Sequence, residues 1–123
     1  DDTYNSNLES CSAAIDYLCA FSGSGRNIAV IGDMLELGSA SKKQHEILGK
    51  KCNSSNLDVI FTLGVETLST KNTIKNKKTN EHFENHDHLI HTLKSFLVSN
   101  DKVLFKGSRG MQMEKIISGV FEN

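Results

Sequence analysis

The sequence predicts an α/β fold in which helices cover both faces of a mostly parallel sheet, that is, a three-layer sandwich. Residues 27–32, 59–64 and 102–107 form three short runs that are nearly continuous in apolar residues, and each run ends at a glycine. Unbroken apolar runs are typical of strands that are covered on both faces, as in a parallel sheet. Segments with helical periodicity separate these runs, so helices and strands alternate as they do in an open α/β domain.

Two helices are predicted in the first half of the chain. The first has a stripe of apolar residues at three- and four-residue steps, namely Leu8, Cys11, Ile15 and Leu18. Ser6 and Glu9 have the spacing of a capping box at its start. The second helix is predicted to run from Ser41 to about Cys52, with Ser41 and Gln44 as another capping box.

The middle of the chain gives weaker signals. A short helix is predicted after Gly64, through Val65 and Leu68. Residues 71–80 are rich in Lys and Asn and have no apolar period, which predicts a surface loop. Residues 81–84 are predicted to form a weak strand.

Two more helices are predicted near the carboxyl end. Their apolar stripes are Leu89, Ile90, Leu93, Phe96 and Leu97, and then Met113, Ile116, Ile117 and Val120. Asn85 or Asp87 is the expected N-cap of the first of these helices. The second is expected to be entered from Gly110.

Length and composition fit one globular domain over residues 1–123. Of these 123 residues, 37% are hydrophobic and 24% are charged, which is usual for a soluble domain with one core. The 14 Lys and Arg against 15 Asp and Glu give a net charge of −1, so charge provides no general basis for binding nucleic acid or a membrane surface. The sequence also lacks a signal segment and any apolar run near the roughly 20 residues of a membrane span.

The cysteines indicate a reducing environment, and the first residue indicates a longer parent protein. The three cysteines, Cys11, Cys19 and Cys52, are at spacings that match no zinc or redox motif. We therefore expect packed, reduced thiols in a cytoplasmic protein rather than a disulfide framework. The chain begins at Asp1 and not at a Met, so we expect it to be a piece of a longer protein.

Candidate binding residues follow the predicted strands, where ligands bind in open α/β sheets. In the segment 106–110, the cations Lys106 and Arg109 flank Ser108 between two glycines, directly before a predicted helix. A helix N-terminus favours anions, and the planar fork of Arg109 suits a carboxylate or a phosphate. The segment therefore predicts an anion site. The alternative is an ordinary turn whose Lys and Arg point into water.

Other polar residues lie at the same predicted edge. Asp33 follows the first strand, where it can orient a cationic group or a hydroxyl, hold a neighbouring loop, or simply end the strand in an Asx turn. The opening residues Asp2, Tyr4 and Asn5 suit a nucleotide, with the ring stacked on a base; the alternative is a helix-entry turn.

The histidines are interpreted as structural or solvated residues. His45 shares a helix face with Leu48 and Cys52, which favours a half-buried structural histidine over a catalytic one. Four more histidines, His82, His86, His88 and His91, have no Cys or carboxylate at ligand spacing, so we expect no metal site.

Several segments, taken together, are specific for one family. They are Asp1-Asp2-Thr3-Tyr4-Asn5-Ser6-Asn7, residues 28–38, His45 with Leu48-Gly49, and Lys106-Gly107-Ser108-Arg109-Gly110-Met111 with Met113-Glu114. In this order they resemble the C-terminal domain of the Mur ligases, and within that family the ligases that act on D-alanyl-D-alanine. The family often has Asn-Ala-Asn-Pro where this chain has Asn5-Ser6-Asn7-Leu8. Without the proline the loop is less rigid, but no functional group is lost.

The resemblance implies a Rossmann-like lid of a three-domain, cytoplasmic, bacterial enzyme of peptidoglycan synthesis. Such an enzyme uses ATP and Mg²⁺ to form an acyl phosphate on UDP-MurNAc-tripeptide, which the amine of D-alanyl-D-alanine then attacks. The resemblance places the phosphate loop and the Mg²⁺ ligands in a central domain. The partners of this domain are then the central and N-terminal domains of its own chain, and we expect it to be inactive as a ligase by itself.

The resemblance also implies roles for particular residues. Asp2, Tyr4 and Asn5 would face ATP. The D-alanyl-D-alanine site would be bordered by Lys106, Ser108 and Arg109. Asp33 would lie on the same rim. Among these, Arg109 is the expected partner of the dipeptide carboxylate.

A different function class is a receiver-like signalling module, which is also a doubly wound domain with an Asp-Asp pair and a Lys at a strand end. Against it, no apolar strand precedes Asp1 and Asp2, Gly and not Pro follows Lys106, and no Asp ends the strand 59–63. A simple protein-interaction domain would leave the cluster of Lys and Arg at one strand end unexplained.

Overall fold

Four parallel strands form the central sheet. The computed structural model describes residues 7–21, 23–75 and 77–122. Its strands are β1 (Asn27–Gly32), β2 (Val59–Leu63), β3 (Thr79–Phe83) and β4 (Lys102–Lys106). They lie in the order β3-β2-β1-β4, and every pair is parallel. The predicted α/β class and mostly parallel sheet are confirmed.

Helices lie on both faces of this sheet. They are α1 (Leu8–Cys19), α2 (Ser41–Ser54), α3 (Leu68–Thr73), α4 (His86–Phe96) and α5 (Met113–Phe121), with 3₁₀ turns at Gly38–Ala40 and Arg109–Met111. Successive residues of a strand point to opposite faces. Ala29 and Ile31 of β1 pack in one core with α1 and α2, whereas Ile28 and Val30 pack in a second core with α4 and α5. The molecule is therefore the predicted three-layer sandwich.

Burial separates the central strands from the edge strands. Every residue of β1 and β2 is buried, as the continuous apolar runs predict. Every residue of β4 is only half-buried, although its sequence is also apolar, because β4 lies at one edge of the sheet. At the other edge, β3 begins at Thr79 rather than at Glu81, and its polar pattern fits a strand that is partly open to solvent.

The predicted capping box of α1 is wrong by one residue. The side chain of Asn7 accepts a hydrogen bond from the Ser10 N–H at 2.8 Å, and the Ser10 hydroxyl accepts one from the Asn7 N–H at 3.1 Å. The reciprocal pair is thus Asn7 and Ser10, because Asn7 has the extended backbone of an N-cap (φ −133°, ψ 174°).

At α2 the capping box does not form, although the helix is confirmed. A 3₁₀ turn leads into the helix, so Ala40 and Ser41 already have helical backbone angles. A capping side chain needs an extended backbone, and the Ser41 hydroxyl bonds elsewhere. At α4 the expected cap is confirmed, since the Asn85 side chain accepts from the His88 N–H at 2.9 Å.

The predicted loop over residues 71–80 is also wrong in part. Its first residues belong to α3, its last two belong to β3, and Ile74 between them is buried. Tertiary contacts replace the missing apolar period, because the Thr70 hydroxyl donates to the His45 carbonyl at 2.7 Å and ties α3 to α2.

The three cysteines are free thiols, as expected. Among the described residues, the helices are too short or too polar to cross a bilayer.

Candidate functional site

The strand order places a crevice between β1 and β4. From β1 the chain proceeds to β2 and then β3 on one side, whereas β4 lies on the other side of β1. In open α/β sheets ligands bind where the order reverses, beyond the carboxyl ends of the strands. The loops that leave β1 after Gly32 and β4 after Lys106 meet at this position.

Asp33 holds a neighbouring loop, one of the roles that the sequence left open. Its side chain is buried, with 4% of the residue exposed. One carboxylate oxygen accepts from the Val65 N–H at 3.0 Å and the other from the Thr67 N–H at 2.8 Å. Gly64 precedes this loop with φ +120°, and a Cβ there would lie 2.4 Å from the Asp33 carboxylate oxygens. Asp33 therefore fixes the loop after β2 against the loop after β1.

Ser108 joins the two loops of the crevice. It is buried, with 1% exposed. Its N–H donates to the Asp33 carbonyl at 2.9 Å, and its hydroxyl oxygen accepts from the Leu35 N–H at 2.7 Å. Just before it, a Cβ on Gly107 would lie 3.0 Å from the Cα of Gly32. The backbones of the two loops are thus in direct contact, with no room for a side chain between them.

Arg109 lies on the outer side of this junction. It begins the 3₁₀ turn Arg109–Met111 and is exposed. Lys106 is half-buried at the end of β4, opposite Ile31. The structure therefore brings Arg109, Lys106, Ser108 and Asp33 to one edge, as the sequence predicts.

The predicted direct entry from this segment into a helix is wrong. Gln112 has left-handed backbone angles (φ 51°, ψ 50°), so the 3₁₀ turn ends and α5 starts only at Met113. Residues 106–110 are therefore separated from the N-terminus of α5. The anion-binding capacity of this segment accordingly depends on its side chains and turn amides rather than on the α5 N-terminus.

His45 is a structural histidine, as expected, but it is fully buried and not half-buried. Its Nε2 accepts from the Met34 N–H at 3.0 Å. The proton is therefore on Nδ1, which donates to the Ser41 carbonyl at 2.8 Å. His45 thus ties α2 to the loop after β1.

Sequence reasoning missed a second contact beside His45. The Ser41 hydroxyl donates to a carboxylate oxygen of Glu66 at 2.5 Å. No motif joins two residues that lie 25 positions apart, so the sequence carries no signal for this pair. Residues 34–38 line a cleft of about 290 Å³ with Ser41 and Glu66. Glu36, in this cleft, has a left-handed backbone with φ 64°.

A larger cleft of about 550 Å³ lies between α1 and β4. It is lined mainly by apolar residues, and it contacts β4 at Lys102, Val103 and Leu104. These residues begin the strand, so this cleft lies at the end of the sheet opposite to Ser108 and is not the candidate site.

Two of the remaining histidines have other partners. His82 bonds to the Thr62 hydroxyl at 2.7 Å, and His86 bonds to the Met111 carbonyl at 2.7 Å. Within residues 7–21, 23–75 and 77–122, no group of three or more His, Cys, Asp or Glu could hold a metal ion. Asp2, Tyr4 and Asn5 lie outside the described residues.

Comparison with known proteins gives a consistent match. Residues 2–109 match the family model of the Mur ligase, glutamate ligase domain. The UDP-N-acetylmuramoyl-tripeptide–D-alanyl-D-alanine ligase of Haemophilus influenzae is 38% identical over 119 residues, which are 95% of this chain and 26% of the relative. The ligase of the same name from Buchnera aphidicola is 37% identical over 124 residues, which are 99% of this chain and 26% of the relative.

Solved structures show the same relationship. A MurF structure from Acinetobacter baumannii aligns over 100% of this chain and 27% of its own, with a TM-score of 0.83 and 28% identity. The MurF ligase of Thermotoga maritima in complex with ADP aligns over 98% of this chain and 27% of its own, with a TM-score of 0.78 and 30% identity. The chain thus spans about a quarter of the length of the proteins that it matches.

Proposed function

Because the chain belongs to the Mur ligase family, we propose that it is the C-terminal lid of an ATP-dependent ligase that adds D-alanyl-D-alanine to UDP-N-acetylmuramoyl-tripeptide. Ligases of that name match nearly the whole chain, which supports the proposal. The chain covers about 26% of their length, which leaves room for the central and N-terminal domains. The proposed enzyme acts in the bacterial cytoplasm, in peptidoglycan synthesis. The comparisons give no support to the receiver-like alternative.

In the proposed reaction, the tripeptide carboxylate attacks the γ-phosphorus of ATP, which forms an acyl phosphate and releases ADP. The neutral amine of D-alanyl-D-alanine then attacks the acyl carbon, the C–O bond to the phosphate breaks, and the nitrogen gives up a proton as phosphate leaves and the amide forms. The described part of this chain has no group of three or more His, Cys, Asp or Glu that could hold a metal ion. The phosphate loop and any metal ligands are assigned to the central domain.

The observation that carries this proposal is the rim between β1 and β4. D-Alanyl-D-alanine has a free carboxylate, and an exposed Arg109 offers a planar, doubly donating partner for it. Lys106 adds positive charge at the end of the adjoining strand. Ser108 and Asp33 are buried and bonded to backbone, so in the proposed site they hold the loops from which Arg109 extends.

For the nucleotide, we propose that Asp2, Tyr4 and Asn5 face ATP. The family match begins at residue 2, which includes this segment, and a structural relative was solved with ADP. An aromatic ring beside a carboxylate and an amide suits a base and its ribose.

The test is Arg109→Ala in the full-length ligase, with amide formation measured as a function of each substrate. We expect the KM for D-alanyl-D-alanine to rise about tenfold or more, since a hydrogen bond to a charged group contributes about 1.5–3 kcal/mol. The KM for ATP should change by less than about twofold, because Arg109 does not contact ATP in this proposal.

Lys115→Ala is the matched control, because Lys115 is an exposed cation on α5. It should leave both KM values near those of the wild type. Equal rises of the two KM values in Arg109→Ala, or no rise in either, would contradict the assigned role.

A further inference from the structure

His86 connects α4 to the turn that carries Arg109. It is the first residue of α4 and is half-buried. Its Nε2 lies 2.7 Å from the carbonyl oxygen of Met111. A carbonyl only accepts, so Nε2 carries the proton and donates. The bond spans 25 positions of sequence and joins the start of α4 to the turn at the rim of the crevice.

The Met111 carbonyl lies where regular helical bonding is interrupted. Gln112 is left-handed, and the Lys115 N–H donates to the Gln112 carbonyl at 3.0 Å rather than to the Met111 carbonyl. The Met111 carbonyl precedes this bond and so lies outside the α5 ladder. His86 supplies a donor to a carbonyl that the helix does not use.

The turn is therefore held at both of its ends. On one side, the Met111 N–H donates to the Ser108 carbonyl at 2.8 Å, and Ser108 is bonded to the loop after β1. On the other side, the Met111 carbonyl is bonded to His86. The inner side of the turn packs closely, since a Cβ on Gly110 would lie 2.8 Å from Leu35. Arg109 extends from this clamped turn.

We propose that His86 is a positioning residue for Arg109. By holding the Met111 carbonyl, it keeps the turn in the one orientation from which the guanidinium meets the carboxylate of the incoming dipeptide. A binding group is effective only within about 0.5 Å of its productive position, so loss of one anchor weakens binding without removing any group that touches the substrate. This inference rests on the proposed function.

The test uses the full-length ligase and compares His86→Ala with His86→Gln. In His86→Ala the KM for D-alanyl-D-alanine should rise about five- to tenfold, the size of one hydrogen bond, while kcat and the KM for ATP stay within about twofold. In His86→Gln an amide N–H replaces the ring donor, so the KM should return to within about twofold of the wild type. His91→Ala, on an exposed position of the same helix, is the matched control and should change nothing.

Hydrogen exchange of the same variants gives a readout that does not depend on activity. In His86→Ala the segment 107–113 should exchange about five- to tenfold faster, whereas the α2 segment should exchange as in the wild type. The proposal would be overturned if hydrogen exchange in His86→Ala were unchanged, or if His86→Ala and His86→Gln raised the KM for D-alanyl-D-alanine equally. Equal rises of the KM for D-alanyl-D-alanine and the KM for ATP in His86→Ala would also overturn it. If the wild-type ligase does not use D-alanyl-D-alanine but the exchange still changes, the proposed function fails and the anchoring role of His86 stands.

Discussion

Asp33 shows how one buried carboxylate organises the candidate site. Its two oxygens accept from the amides of Val65 and Thr67, and its own carbonyl accepts from Ser108. An ionised carboxylate suits this position because it only accepts. The residue thus joins loops that follow three different strands, and the shape of the rim depends on its hydrogen bonds.

For Asp33→Asn we expect the free energy of unfolding to fall by about 1–3 kcal/mol, since one of the two amides then faces an NH₂ group and stays unsatisfied. Urea unfolding of the purified chain measures the change. Asp16→Asn is the control, because Asp16 is 67% exposed and pairs with Lys51 at the surface. It should cost less than about 1 kcal/mol. Equal decreases in the free energy of unfolding of the two variants would show that the buried hydrogen bonds of Asp33 contribute no more to stability than a surface ion pair.

At the scale of elements, one ion pair joins the entry of β1 to the loop between α4 and β4. Arg26 donates to the two carboxylate oxygens of Asp101 at 2.9 and 2.7 Å and to the Phe96 carbonyl at 3.0 Å. The guanidinium also lies 4.3 Å from the centre of the Phe96 ring. Asp101 accepts in turn from the Val98 N–H at 2.8 Å. The pair therefore holds both the end of α4 and the start of β4.

The pair makes stability depend on pH. The hydrogen bonds from Arg26 lower the pKa of Asp101 below its ordinary value. A lowered pKa contributes stability above the pKa of the unfolded chain, about 3.9 for Asp, and the contribution is lost as the pH falls through the lower folded value. The Asp101 carboxylate therefore stabilises the fold at neutral pH and not in strong acid.

At about pH 7 we expect Asp101→Asn to unfold at a lower urea concentration than the wild type. The difference between their two urea midpoints should narrow as the pH falls below about 4. Urea titrations across this range measure it. Asp87→Asn, at an exposed position in the first turn of α4, gives the background of removing a carboxylate outside this ion pair. A difference for Asp101→Asn that stays constant from pH 7 into acid would refute the role of the ionised pair.

At the scale of the whole molecule, the chain has a complete two-sided core but only part of a proposed active site. The two apolar clusters bury both faces of β1 and β2. The rim offers one turn with an exposed Arg109, and the described residues have no metal-binding cluster. Folding and catalysis are therefore separate questions for this chain.

We therefore expect the isolated 123-residue chain to fold but not to hydrolyse ATP above background, because most contacts to the phosphates belong to the proposed central domain. Phosphate release at micromolar enzyme measures this, and a cooperative urea transition shows that the sample is folded. The full-length ligase with all three substrates is the positive control. ATP turnover by the folded isolated chain above background would contradict the division of roles.

The sequence by itself determined the layered fold, the family and the residues at the candidate rim. Continuous apolar runs predict strands that are covered on both faces, and apolar residues at three- and four-residue steps predict the buried faces of helices. These signals are local, so β1, β2 and the four longer helices were predicted close to their observed bounds. The structural role of His45 followed from the same periodicity, but its full burial did not, because the periodicity predicts only a half-buried position.

Only the tertiary structure decided which polar groups pair. The Ser108 bond to Leu35 spans 73 positions, the Asp33 bond to Thr67 spans 34, and the His86 bond to Met111 spans 25. Such contacts depend on strand order and on which loops meet, so no short-range pattern records them. For the same reason the capping box at Ser41 was wrong, since its hydroxyl is used by Glu66, a residue that only the folded sheet brings near.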